Sequence, residues 1–328
     1  MKAAFITKTG GPSVIEYGDL PDPKPKDNQL LIKVIAVAPA PIDTYIRSGK
    51  YQSPIKLPQP YILGRDMVGE VVAIGKDVSE FEVGQQIWSV TSGEGEQGVS
   101  AELVARDADL CHHLPKGIDP IQAVACIQAA VTACRGIIIA SNLKRDGILF
   151  VNGASGNVGT ALIQLGKARG ATVFASTSSK EKLEWCKAQG ADAVFDHKAK
   201  DFTEQVKQKA PSGIDAFWDT SQQPNIELGT TLLGRGGTII LFSGSQSKPV
   251  LPVGPFYSKE LAMKGFSLLH STPQELSDYA MIVNRAFEEG LLKPKIAATL
   301  PLKEMAKAHE MLEAKPPIWG KIVLTINK

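Results

Sequence analysis

The stretch Gly147-Ile148-Leu149-Phe150-Val151-Asn152-Gly153-Ala154-Ser155-Gly156-Asn157-Val158-Gly159 reads as the join between a strand and a helix. Ile148 to Val151 form an apolar run too short for a helix. Beyond the glycines, apolar residues recur at Ala161, Leu162, Leu165 and Ala168, which is helical spacing. The order is strand, tight turn, helix. Gly153, Gly156 and Gly159 let backbone N–H groups come close to a ligand and let the helix pack on the strand, with the helix N-terminus facing a pyrophosphate. Asn152, Gly153, Ala154, Ser155, Gly156, Asn157 and Val158 are therefore the expected phosphate-binding residues. A glycine triplet alone also fits a plain helix-capping turn, so the surrounding chain has to decide.

The next strand is expected at Ala171 to Ala175, and it runs into Ser176-Thr177-Ser178-Ser179-Lys180-Glu181-Lys182. NAD sites place an Asp or Glu at this point to hold the ribose 2′-hydroxyl. Hydroxyls and a lysine suit a 2′-phosphate instead, which favours NADPH over NADH. Ser176, Ser178 and Lys182 are the candidate contacts. Glu181 would repel a phosphate unless it points outward. The alternative is a solvated Ser/Lys turn that caps a helix over Lys180 to Ala188.

The chain has 328 residues, 43% of them hydrophobic, enough for two domains with proper cores. Lys and Arg number 36 against 34 Asp and Glu, interspersed, so no basic surface marks the chain for nucleic acid or membrane. Cys111, Cys126, Cys134 and Cys186 form no C-x-x-C pair and suit reduced, buried thiols, hence a cytoplasmic address. Residues Met1 to Ile6 carry no leader pattern and read as a first strand. Ile121 to Leu143 is apolar enough to resemble a membrane span, but Arg135 at its centre would be costly in lipid, and a buried core helix is the better reading.

Up to about Asp119 the chain shows short β runs without helical periodicity: Leu30 to Ala38, Met67 to Ile74, Gln86 to Val90 and Ala101 to Val104. At Asp119-Pro120 an N-cap Asp and an N1 proline open the long apolar helix. Strands then alternate with helices at Ile148–Val151, Thr172–Ala175, Ala193–Phe195, Ile214–Trp218, Thr238–Phe242 and Gly265–His270, which gives an α/β doubly wound parallel six-strand sheet of Rossmann type. Helices over Gln274 to Gly290 and Lys303 to Ala314 and a strand over Lys321 to Ile326 complete the chain. This tail should fold back on the first domain, because a lone strand and helix cannot bury their apolar faces.

Four blocks resemble the medium-chain dehydrogenase/reductase superfamily, and specifically its zinc-free quinone oxidoreductase, zeta-crystallin-like branch. They are Asp43-Thr44-Tyr45-Ile46-Arg47-Ser48-Gly49-Lys50-Tyr51, Gly64-Arg65-Asp66-Met67-Val68-Gly69-Glu70-Val71, the turn Asn152 to Gly159, and Gly320-Lys321-Ile322-Val323-Leu324. The resemblance implies a GroES-like, β-barrel-type catalytic domain over 1–120 and 274–328, with the Rossmann domain over 121–273 between. Zinc-bearing members have a Cys near Ala40, a His-Glu pair where this chain has Arg65-Asp66, a third Cys near Ala129, and a four-Cys lobe where it reads Thr91-Ser92-Gly93-Glu94-Gly95-Glu96. No ligand set at metal spacing remains, and the adjacent His112-His113 reads as loop, so no metal is expected and alcohol dehydrogenation is disfavoured.

What the resemblance implies is hydride transfer from NADPH to a quinone or an α,β-unsaturated carbonyl in a cleft between domains. Tyr51 is the first choice for proton donor and Tyr45 the second, each against a reading as a packed aromatic. Asp43 and Arg65 are the substrate-side candidates. Arg65 either pairs with Asp66 or Asp43, the plainer reading, or faces the cleft and attracts an anionic substrate. Ala40 stands where relatives carry Asn, which removes one expected polar contact. Carry-over also places Thr132 at the nicotinamide amide, His197 by the adenosine, and Phe242, Ser243, Gly244 and Lys321 over nicotinamide and phosphates. Pairing of the edge strand at Gly265–His270 across a two-fold axis would make a homodimer. The rival readings are an enoyl-thioester reductase and a non-catalytic, crystallin-like NADPH- or RNA-binding protein.

Overall fold

The computed structural model describes residues 1–51, 57–90, 95–139, 143–316 and 318–326. In chain order the elements begin with β1 (Lys2–Ile6), β2 (Ile15–Asp19), β3 (Gln29–Val37), α1 (Pro41–Ser48), β4 (Tyr61–Ile62), β5 (Met67–Ile74), β6 (Gln86–Ser89), β7 (Leu103–Asp107), β8 (His112–His113) and α2 (Pro120–Ile139). They continue with β9 (Ile148–Asn152), α3 (Asn157–Ala168), β10 (Thr172–Thr177), α4 (Lys180–Ala188), β11 (Ala193–Asp196), α5 (Phe202–Lys209), β12 (Ile214–Asp219), α6 (Ile226–Leu232), β13 (Leu233–Leu241), α7 (Val253–Ser258) and β14 (Ala262–Gly265). The last are α8 (Pro273–Glu288), β15 (Ile296–Pro301), α9 (Met305–Glu313) and β16 (Lys321–Thr325). Two compact units result. One holds Met1–Gln128, Thr272–Glu288 and Pro294–Lys328, and the other Ala129–Ser271 with Glu289–Lys293.

In the first unit, β2-β1-β4 form a small antiparallel sheet, and a larger sheet runs β15-β16-β3-β5-β6-β8 with β7 also on β3. The C-terminal tail folds back here, because β16 pairs antiparallel with β3 through Leu324↔Val37 and Thr325↔Ala36. Leu30, Ile32, Val34, Met67, Val71, Ile322 and Leu324 alternate into one core. Three features depart from the sequence reading. β15 is an additional strand, parallel to β16. His112 and His113 form the short β8 on β6, with His112 packed on the Trp88 ring at 4.6 Å. The third is α1, in a region with no expected helix. Its signals are short and local: Pro41 at N1, Asp43 accepting the Ala40 N–H, and Gly49 ending it at φ 75°.

The second unit is the doubly wound sheet, six strands in the order β11-β10-β9-β12-β13-β14, with every ladder parallel. Its core stacks Phe150 on Phe217 at 5.6 Å and sets Phe195 and Phe202 around them. The edge strand lies at Ala262–Gly265, earlier than expected, and Leu268–His270 is a 3-10 turn. Pairing with Thr238–Leu241 ends at Gly265, and Phe266 leaves the ladder to stack on Phe242 at 5.9 Å. By length and composition α2 could cross a membrane, but 72% of its apolar window is buried within the protein. Arg135 lies over the Phe266 ring and donates to Ser271 Oγ, and Gly136 lies flat on Trp218, where a Cβ would meet the ring at 1.9 Å.

Candidate functional site

In the second unit, β9 ends at Asn152 and the chain turns at Gly153, whose φ of 74° is in the left-handed region. Thr220 Oγ1 donates to the carbonyls of Asn152 and Gly153 at 2.9 and 3.0 Å and pins the turn from the neighbouring strand end. Gly159 packs so tightly that an added Cβ would lie 2.5 Å from Ala154 O, which is how α3 comes close to β9. Gly156 and Asn157 are exposed at the start of α3, with no side-chain cap and no acidic residue in the first turn. The first N–H groups of a helix have no acceptor within it and carry partial positive charge, so this end suits an anion. A Cβ on Gly156 would meet nothing nearer than Gly153 O at 3.6 Å, so the approach to those donors is open.

The side chains around the turn redirect two of the expected contacts. Ser176 is 0% exposed, and its hydroxyl donates to Asn152 Oδ1 at 2.6 Å. Asn152 Nδ2 in turn donates to Asp219 Oδ2 at 2.9 Å, and Asp219 also accepts the N–H groups of Ser221 and Asn225. The polar ends of Asn152 and Ser176 are thus committed inside the fold. They tie three adjacent strands together and leave the outer rim to Ser178 and Lys182, both half-buried. Asp219 and Thr220 were missed from sequence, although a polar pair closing an apolar strand was the signal. Ser179 caps α4 by accepting the Lys182 N–H, and Glu181 is exposed in the first turn, where its charge favours the helix dipole.

The remaining candidates of this unit are placed as follows. His197 is exposed and follows β11, its N–H donating to Thr177 O. Phe242 is held edge-on to Trp218 at 5.6 Å, and Ser243 Oγ donates to Ser221 O at 2.7 Å. Gly244 turns at φ 81°, where a Cβ would meet Pro224 Cδ at 2.7 Å. Thr132 is a buried residue of α2.

In the first unit, Asp43, Arg65, Asp66 and Lys321 gather into one charged cluster. Lys321 is 5% exposed and its Nζ sits 3.0 Å from Oδ2 of Asp66, itself 1% exposed. The ammonium expected over the cofactor phosphates is therefore engaged by a buried carboxylate. Burial pushes the Asp66 carboxyl up to about 6, outweighing the pull of Lys321. Asp43 Oδ2 accepts the Ala40 N–H at 2.7 Å, and burial raises this carboxyl too, against the pull of Ala40 and Arg65. The expected Arg65 salt bridge does not form: among the described residues its buried Nε and Nη1 have no hydrogen-bond partner, nor does Asp66 Oδ1. Tyr45 is half-buried on α1. Tyr51 is half-buried against the core and donates its N–H to Tyr45 O at 3.1 Å.

Among the described residues no three His, Cys, Asp or Glu gather as a metal site, and the sequence-expected comparison at 91–94 lies outside those residues. The four cysteine thiols are buried, which pushes each up to about 12, far from thiolate chemistry.

Comparison with known proteins agrees with this two-part architecture. Residues 26–116 match the alcohol dehydrogenase GroES-like domain, and residues 157–284 the zinc-binding dehydrogenase domain. The chain is 33% identical to the quinone oxidoreductase of Sus scrofa, over 99% of this chain and 98% of that one. It is 29% identical to the chloroplastic NADPH-dependent alkenal/one oxidoreductase of Arabidopsis thaliana, over 99% of this chain and 79% of the relative. The Escherichia coli quinone oxidoreductase structure complexed with NADPH superposes with a TM-score of 0.86 at 25% identity, covering 99% of this chain and all of that one. An oxidoreductase built on paired GroES-like and Rossmann-type units is the class these matches define. The chain belongs to the zinc-free quinone oxidoreductase branch of the medium-chain dehydrogenase/reductase superfamily.

Proposed function

We propose that this chain is an NADPH-dependent, zinc-independent reductase that delivers a hydride to a quinone or an α,β-unsaturated carbonyl. One observation carries the cofactor choice: β10 runs through Thr177 into Ser178, Ser179, Lys180 and Lys182, with no carboxylate at the strand end and with Glu181 turned outward on α4. A hydroxyl and an ammonium favour a phosphate dianion there and offer a ribose 2′-hydroxyl no carboxylate acceptor. The open N-terminus of α3 holds the pyrophosphate, and Ser178 with Lys182 the 2′-phosphate. Bound NADPH supplies the hydride. The chain's own part is to bind the cofactor, orient the acceptor, and place a proton on the reduced product, and Tyr51 is the donor that the family resemblance points to. The names of the pig and Arabidopsis relatives support both acceptor classes.

Titration of the purified chain with NADPH and NADH tests this reading. NADPH is expected to bind about tenfold or more tightly, with Lys182→Ala removing most of the difference. Equal binding of the two cofactors overturns it. Tyr51→Phe should slow quinone turnover with NADPH affinity intact, and unchanged turnover retires the tyrosine. The exposed side of β14, with Met263 at 37% exposure and Tyr257 nearby at 72%, supports a homodimer through this edge, which sedimentation checks. Buried reduced thiols suit a cytoplasmic address.

A further inference from the structure

We propose that Arg65 anchors a carboxylate on the hydride acceptor, so that the preferred substrates of this chain are quinones or enones that carry a carboxylate. The backbone at this point is fixed by its neighbour. Gly64 holds φ 87°, and a Cβ there would lie 2.5 Å from Ser100 Oγ. The Arg65 side chain reaches the field of Asp43, Asp66 and Tyr61. Its Nε and Nη1 are nevertheless buried without an acceptor. Of the neighbouring carboxylates, Asp66 Oδ2 is engaged by Lys321 Nζ and Asp43 Oδ2 by the Ala40 N–H, and the unpartnered Asp66 Oδ1 makes no hydrogen bond to Arg65.

A guanidinium neither gives up its proton nor accepts a hydrogen bond, so buried N–H groups without an acceptor are a standing cost to the fold. An incoming carboxylate removes that cost, because its planar oxygens match the donor fork and its charge is opposite. A neutral carbonyl offers a weaker acceptor. Lys321 does not compete, since Asp66 holds it. Charge therefore decides what binds at this point of the first unit, and Arg65 is the group that reads it.

The word substrate here rests on the reductase function proposed above, and an unreactive carboxylate separates the anchor from that reading. Thermal-shift titration of the full chain with benzoate, and with benzamide as its uncharged isostere, reads binding without turnover. Benzoate should raise Tm in the unmodified chain, benzamide should not, and Arg65→Gln should abolish the shift. Equal shifts from both probes, no shift at saturating benzoate, or a shift that survives Arg65→Gln overturns the anchor. Should Arg65→Gln fail to fold, Arg65→Lys keeps the charge without the fork and should bind benzoate several-fold more weakly; unchanged binding overturns the anchor.

With NADPH, 3-benzoylacrylate should exceed its methyl ester in kcat/KM by about tenfold or more, the range of a charged hydrogen bond. The preference should lie in KM and vanish in Arg65→Gln. Equal loss of kcat on both acceptors, with KM unchanged, overturns the anchor, because the guanidinium would then act on the reacting oxygen. Reduction of neither acceptor, with the benzoate shift intact, sinks the reductase reading and leaves the anchor standing.

Discussion

The turn that follows β9 and the charged cluster around Asp66 treat polar groups in opposite ways. At the turn, the donors are backbone N–H groups kept at the surface, and the side chains of Asn152 and Ser176 are spent on holding strands together. In the cluster, the groups are side-chain charges drawn out of water, with Asp66 and Lys321 brought together across 255 positions of chain. The turn is sensitive to a Cβ at Gly153, 2.7 Å from Thr220 Oγ1, and at Gly159, 2.5 Å from Ala154 O. The cluster is instead intolerant of losing a charge.

Removing one side of the buried pair gives the largest effect. Lys321→Met removes the ammonium that pulls the Asp66 carboxyl down, and at about pH 9, where Asp66 is ionised, leaves it as an uncompensated charge at an expected cost of about 3–5 kcal/mol in urea unfolding. The double variant Lys321→Met/Asp66→Asn should recover most of that loss, because the orphan charge is gone. The deficit of the single variant should also shrink as the pH falls, since protonating Asp66 neutralises it. The normal chain shows the same sign in milder form. The Asp66 carboxyl is raised to about 6 from its usual value near 4, so its contribution is fullest below about 4 and is lost as pH rises through 6. A loss under about 1 kcal/mol in Lys321→Met would mean the pair stays solvated, and the contrast with the turn would collapse.

The first unit hides another buried ionisable group, this one with no counter-charge among the described residues, and its pH dependence runs the other way. His309 on α9 is 0% exposed, and neither ring nitrogen has a hydrogen-bond partner among the described residues. Burial, with Arg47 adding to it, pulls the imidazolium down to about 4 from 6.5. The unfolded chain therefore takes up a proton first as pH falls below 6.5, and stability drains away down to pH 4. The loss reaches about 3 kcal/mol there. In the same window Asp66 gains, so the two partly offset. His309→Leu should keep the Asp66 gain and lose the histidine penalty, and its stability relative to the unmodified chain should rise steadily from pH 7 to pH 4. Parallel pH profiles for the two proteins would rule out a desolvated His309.

How much of each region was legible in the sequence follows from the same contrast. The glycine turn, the six-strand sheet and the α4 start at Ser179 are written in residues that lie next to one another, where conformational need and residue type coincide. The short helix α1 was equally local, but its eight residues, with an apolar face interrupted by Asp43 and Arg47, sit among strand runs and hide their period. The edge strand was displaced because Gly265 and Phe266 read as its start, whereas the ladder ends there and Phe266 turns toward Phe242. The partner of Asp66 could not be read from its neighbours in sequence. Choosing Lys321 over Arg65 for Asp66 is decided by where β16 lies beside β3, and no local pattern records that.

The smallest effects come from the turn, and they separate packing from binding. Gly159→Ala pushes a Cβ to 2.5 Å from Ala154 O and 2.6 Å from its Cα, so α3 must move off β9. The expected cost is about 1–3 kcal/mol, with NADPH affinity falling as the helix end shifts. Gly156→Ala meets only Gly153 O at 3.6 Å, and the backbone there is extended, at φ −72° and ψ 171°, which any residue adopts. Its folding cost should stay under about 1 kcal/mol, the difference between Gly and Ala at a helix N-cap. Its effect on NADPH should be larger than that, about tenfold in Kd or roughly 1.4 kcal/mol, because the new methyl stands on the open face of the donors. If Gly156→Ala binds NADPH normally while Gly159→Ala unfolds, the glycines serve only to pack the helix. The phosphate must then be held by side chains, as the charges of the other unit are.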